Sequence, residues 1–140
     1  MIIEMTKYLL CALIVCLPCP AQARLKVKYG HVALQGIIVE QVKYGPPNFE
    51  NDGICKKVTI RCIKLDKPID VDGNKEDRFN FDDVKGIRLI QVIEPVGESV
   101  KFAIKKRVKI KGKLQEALVG GNYTRAVLTI EKVSDVILEQ

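Results

Sequence analysis

The chain has 140 residues, with Lys plus Arg at 23 against Asp plus Glu at 17 and a formal net charge of +6. Hydrophobic content of 47% and a charged share of 29% belong to a folded globular chain rather than a disordered tail. The length allows one small domain and excludes a second folded unit once an N-terminal signal is set aside.

Lys7 precedes an apolar run, Tyr8 to Leu17, long enough for a signal core and too short to cross a bilayer as a helix. Pro18-Cys19-Pro20 ends it, and Ala21-Gln22-Ala23 places small residues where signal peptidase cuts. Residues 1–23 therefore read as an export signal, and residues 24–140 as a single mature domain in the periplasm or outside the cell. The segment removed holds only Glu4 and Lys7 as charges, so the mature chain stays basic. Val15 before Cys16 and Pro18 before Cys19 lack the small residue that lipid modification requires. No stable membrane anchor is expected.

Three cysteines leave with the signal, and Cys55 and Cys62 remain in a compartment that permits disulfides. On one straight strand their Cα atoms would lie about 23 Å apart at roughly 3.3 Å per residue. A disulfide tolerates about 7 Å. Either the backbone turns between them and a bridge forms, or both stay free thiols.

Val32-Ala33-Leu34-Gln35-Gly36-Ile37-Ile38 and Val108-Lys109-Ile110-Lys111-Gly112-Lys113-Leu114 share an alternating apolar pattern around a glycine, which predicts two strands that bend. Gly45 to Gly53 is a turn-rich loop. Val58 to Leu65 reads as a strand whose apolar parity switches between Cys62 and Ile63, suggesting a bulge. Asp66 to Asp83 is polar and rich in acids. Its Asp70-Val71-Asp72-Gly73-Asn74 stretch fails the calcium-loop pattern at Lys75 and Phe81 and is expected to be a hairpin turn. Ile87 to Ile93 is the third strand. Val100, Ala103 and Ile104 have helical spacing behind Ser99, with Lys105 and Lys106 at the favoured C-terminal end, so a short helix is expected between the third and fourth strands. Arg125 to Val133 supplies the fifth strand. The order points to a mainly β chain folded as a small five-stranded Greek-key barrel of the oligonucleotide/oligosaccharide-binding (OB) type, with a β-sandwich as the alternative.

Arg107, Lys109, Lys111 and Lys113 alternate with apolar residues, so on a strand they share one face and form a candidate anion-binding strip, or simply a solvated face. Nucleic acid is disfavoured because no aromatic lies within the strip to stack a base. The solitary His31 sits at a strand start, Asn122-Tyr123-Thr124 matches the glycosylation sequon without implying a role, and no metal or cofactor is expected. Nucleophilic catalysis would need an activated hydroxyl or thiol beside a base, and carboxylates alone could still hydrolyse a substrate.

Taken together, Leu34-x-Gly36, Gly45-Pro46-Pro47-Asn48-Phe49-Glu50, Leu65-Asp66-Lys67-Pro68, Val108-x-Ile110-x-Gly112-x-Leu114 and Ala117 to Thr124 resemble a family of small bacterial secreted proteins, domain-of-unknown-function family 4431. The resemblance spans residues 32–133 and implies an exported β-domain, without an activity. Members of that family carry a His-His-Thr turn where this chain has Gly120-Gly121-Asn122-Tyr123-Thr124, and a cysteine where it has Asp70. A metal role at that turn does not carry over.

These readings converge on a protein that binds rather than catalyses. The first expectation is a protein partner: an exported inhibitor or immunity protein, directed at a toxic or cell-wall-directed enzyme, binding through Pro46, Pro47, Asn48, Phe49 and Glu50. The second is an oligosaccharide- or anionic-polymer-binding module using the basic strand, and the third a carboxylate-dependent hydrolase.

Overall fold

Apolar residues at alternate positions put one face of each strand inward, and the strands close on that face. The computed structural model describes residues 23–118 and 121–139. Its strands are β1 (Leu25–Lys28), β2 (Gly30–Tyr44), β3 (Lys57–Asp72), β4 (Val84–Ile93), β5 (Arg107–Glu116), β6 (Ala126–Thr129) and β7 (Val136–Leu138), joined in one sheet. Antiparallel β2–β3 and β3–β4, parallel β4–β6, and antiparallel β6–β5 and β5–β2 complete a ring. With β2 to β6 taken as strands one to five, this is the OB barrel order. β1 is added in parallel to β3, and β7 to the edge of β5.

The core inside the ring is made by Leu34 and Ile38 of β2, Ile63, Leu65, Ile69 and Val71 of β3, Ile90 and Val92 of β4, Val108, Ile110 and Leu114 of β5, and Leu128 of β6. Each such side chain, withdrawn from water, contributes about 1.5–3 kcal/mol.

The repeated motif has a structural meaning. In the β2–β5 register Val32 faces Gly112, Leu34 faces Ile110 and Gly36 faces Val108, so each motif's valine stands opposite the other's glycine. A Cβ on Gly36 would lie 2.2 Å from the Lys64 carbonyl oxygen, and one on Gly112 would lie 2.6 Å from that of Thr129. The glycines are where neighbouring strands cross closely as the sheet bends into a barrel.

Several expectations need correction. No helix forms at residues 100–106. Lys105 has φ 63°, its N–H donates to Ile38 O, and the Ile38 N–H donates to Lys106 O, so the segment folds irregularly across an end of the barrel. Val100 is buried there, and Phe102 and Ile104 pack against the core. Two turns are too short to hold a helix without a matching surface, and the helical spacing reported burial alone. The only helical turn among the described residues is 3-10, at Val133–Asp135.

β2 and β3 also pair without interruption through Val39↔Cys62 and Ile38↔Ile63, so no bulge separates Cys62 from Ile63. Both residues are buried because β3 is covered on both faces at that point. The register shifts occur further on, between Lys64 and Val71 in the β3–β4 pairing. Asp70 and Asp72 lie within β3, and the β3–β4 connection is the longer loop 73–83 rather than a tight turn. The fifth strand is shorter than expected, Ala126–Thr129.

Candidate functional site

The connection from β2 to β3 is a loop that organises itself. Gly45 N–H donates to Lys56 O at 2.9 Å and closes its base, and Phe49 N–H donates to Gly45 O at 3.0 Å. Asp52 is the hub. Its Oδ1 accepts from the Ile54 and Cys55 N–H groups, both at 2.9 Å, and its Oδ2 accepts from Asn48 Nδ2 at 2.8 Å. These contacts, first the Cys55 N–H, then the Asn48 amide and then the Ile54 N–H, hold the Asp52 carboxyl well below the usual carboxylate range. Cys55 Sγ accepts from Asn48 N–H at 3.3 Å and so ties the start of the loop to its end.

Pro46, Pro47, Asn48, Phe49 and Glu50 are all exposed at the surface this framework presents. Phe49 adopts φ 58° and sets its ring edge-on to Tyr123, with centroids 6.2 Å apart and planes at 64°. Such aromatic pairs add about 0.5–1.5 kcal/mol beyond their burial. Tyr123 belongs to the connection between β5 and β6, and its hydroxyl donates to Tyr44 O at 3.0 Å. Gln91 of β4 secures the same connection: its Oε1 accepts from Tyr123 N–H at 2.8 Å, and its own N–H donates to Thr124 Oγ1 at 2.9 Å. The two connections thus meet beside the outer face of β3 and β4. Phe49 remains 39% exposed and Ile54 71% exposed, an apolar pair on an otherwise polar loop.

Sequence reasoning located the exposed loop residues and overlooked those that hold them. Asp52 before Gly53 in a turn-rich stretch carries an Asx-turn signature that could have revealed the hub. Ile54, Tyr123 and Gln91 had no comparable local signal.

The basic strip is real as a geometric feature. Arg107, Lys109, Lys111 and Lys113 lie on β5 opposite Ile37, Gln35, Ala33 and His31 of β2. Arg107 is already engaged: Nη1 donates to Asp66 Oδ1 at 2.9 Å, Nη2 donates to Asp66 Oδ2, and Nε donates to Glu139 Oε2 at 2.7 Å. Asp66 first and Glu139 second push the Arg107 pKa further up. Lys111 shares a shallow hollow with His31, Glu131 and Asp135. The Lys113 charge helps lower the Asp77 pKa, after the hydrogen bonds from Asn80 and Phe79 that do most of it. The strip is therefore interleaved with acids and has one member neutralised by contact.

Cys55 and Cys62 are free thiols, against the bridged alternative. Cys62 lies inside β3, which runs unbroken from Lys57, so the backbone does not turn between the two. Burial pushes the Cys62 thiol up to about 11, with a small opposing effect from Lys43.

Among the described residues no group of three or more metal-ligating side chains converges, and no helix is long and apolar enough to cross a membrane. All of the expected export signal except Ala23 lies outside the described residues. Comparison with protein-family models, curated proteins and solved structures finds no match.

Proposed function

We propose that this chain is an exported, non-catalytic binding protein that docks a protein partner through its 45–55 loop, acting as an inhibitor or immunity protein toward a toxic or cell-wall-directed enzyme. The observation that carries this reading is the preorganised loop. Its backbone is tied down by Asp52, Cys55 and Gly45, while Phe49 and Ile54 stay available to a partner. A loop ordered before binding loses little entropy on docking, and an aromatic anchor is the usual centre of an interface hot spot. Export and the resemblance to family 4431 form part of the same proposal.

One observation favours the oligosaccharide- or anionic-polymer reading. OB barrels bind ligands on the face of their second and third strands and the loops that flank it. Here those are β3, β4 and the connections carrying Phe49 and Tyr123. Against it, the Arg88 guanidinium on this side is occupied by the carbonyls of Leu65 and Asp66 at 3.0 and 3.2 Å, and Arg107 is held by Asp66 and Glu139. These two guanidiniums are therefore already committed within the fold.

The test is capture of a partner from envelope extract, followed by titration of variants at about 0.15 M salt, where exposed charges are screened beyond roughly 8 Å. Phe49→Ala should cost at least about 2 kcal/mol of binding, the hot-spot threshold. The triple variant Lys109→Ala, Lys111→Ala, Lys113→Ala should cost less, acting mainly on association rate. The reverse order would reject the loop as the interface and favour the polymer reading.

A further inference from the structure

The barrel wall has a breach. β2 pairs with β3 only as far as Gly36↔Leu65, and β1 joins β3 only from Ile69, so Asp66, Lys67 and Pro68 have no strand beside them on that side among the described residues. Pro68 has no N–H to offer a neighbour. Residues 30–35 of β2 pair with β5 alone. Between β1 and β2 this leaves a hollow of about 400 Å³, lined by Leu25, Ala33, Leu34, Leu65 and Ile69 with Lys67 and Lys109 among its polar members. That volume lies within the range of small-ligand sites, about 300–1,000 Å³.

Leu34, Leu65 and Ile69 belong to the barrel core and are reached here through the wall, whereas Leu25 at the mouth is 65% exposed. The charges are unequally committed. Asp66, the acid in the lining, has both oxygens occupied by Arg107. Lys67 and Lys109 have no ion-pair partner among the described residues. An adjoining hollow, which shares Leu25 and Lys67, adds Lys26, and also Arg24, which is already paired with Asp70 at 3.4 Å. An apolar floor with uncommitted cations at its mouth complements a molecule that is apolar at one end and anionic at the other.

We infer that the breach between β1 and β2 binds a free single-chain amphiphile with a carboxylate head, its alkyl chain against Leu34, Leu65 and Ile69 and its carboxylate between Lys67 and Lys109. The site lies at the opposite end of β2 from the Phe49 loop, and the inference does not depend on the function proposed for that loop.

The probe is dodecanoate, added to the full chain and followed by methyl NMR and calorimetry. The methyl resonances of Leu34, Leu65 and Ile69 should shift together. Dodecyltrimethylammonium, with the same chain length and opposite charge, should bind at least about tenfold more weakly, and acetate should leave the methyls unmoved. Lys67→Ala with Lys109→Ala should weaken dodecanoate about tenfold at unchanged melting temperature. Leu25→Glu, a substitution at an exposed position, should abolish binding by placing a carboxylate at the mouth. Equal binding of the cationic amphiphile, shifts confined to other residues, or unchanged affinity in the double lysine variant would overturn the inference. So would a response to phosphatidylglycerol vesicles without one to dodecanoate, which would assign the surface to a membrane.

Discussion

Gly36→Ala adds one methyl group where the barrel has no room for it. The new Cβ would stand 2.2 Å from Lys64 O, 2.8 Å from Lys64 C and 3.1 Å from Ile63 Cγ1. Non-bonded carbons rest about 3.5–4.0 Å from their neighbours, so β3 would have to retreat by about 1 Å or more. No rotamer relieves the contact, because the nearest atoms are backbone. Lys64 is moreover held from both sides, by Ile37 of β2 and Leu89 of β4. Overpacking costs about 1–3 kcal/mol, and loss of a ladder hydrogen bond beside it adds about 1 kcal/mol. The expected destabilisation is about 2–4 kcal/mol, which for a domain of this size lowers Tm by roughly 8–16 °C. Gly45→Ala is the control, since its added Cβ meets Lys56 O and Val58 Cγ1 at 3.5 Å, an ordinary contact. It should melt within about 3 °C of the parent or slightly higher, because alanine restricts the unfolded chain. Thermal unfolding followed by circular dichroism compares the three proteins. If Gly36→Ala melts within about 3 °C of the parent, or no lower than Gly45→Ala, close strand approach is not why glycine stands at position 36.

Three further outcomes follow from the same geometry. Cys62, pushed up to about 11 by burial, and Tyr29, pushed up to about 12 by burial and then by Glu116, hold their protons to higher pH folded than unfolded. Their contribution is therefore whole below about pH 9 and is lost as pH rises through 11 to 12; urea titrations across that span should show falling stability, and a flat profile would contradict it. Arg107→Gln should speed amide exchange at residues 136–138, because Arg107 holds Glu139 just beyond β7, while exchange in the middle of β2 stays unchanged. Asp52→Ala should loosen the 45–55 loop without unfolding the barrel, seen as broadened Phe49 and Tyr123 ring resonances. In the parent those resonances should persist in acid below the normal carboxylate range, since a depressed pKa protects the loop until pH falls that far.

The barrel was legible where inward and outward residues alternate and turns punctuate them, as in Val32 to Ile38 and Val108 to Leu114. The same logic misfired at Val100, Ala103 and Ile104, because spacing records that residues are buried without recording the backbone that buries them. Lys105, in the left-handed region and bonded to Ile38 O, could not have been read from its neighbours. Parity likewise misled at Cys62 and Ile63, where a strand covered on both faces buries consecutive residues without a bulge.

The candidate sites divide along the same line. The exposed tip of the 45–55 loop follows from its prolines, glycines and asparagine, which are local chemistry. Its contact with Tyr123 depends on β5 and β6 bringing a distant connection beside it, and the neutralisation of Arg107 depends on Asp66 and Glu139 arriving from two other parts of the chain. Alternating lysines specify which face a charge occupies, whereas the acids that cross that face are set by topology. For that reason the basic strip, which the sequence offered second after the loop, is partly spent through Arg107 on holding β7 and β3 to the barrel. Lys109, a member of that strip without an ion-pair partner among the described residues, lines with Lys67 the hollow where β3 changes partner from β2 to β1. Closing a ring of five strands uses up backbone and charge together, and the surface left for binding is what that closure does not consume.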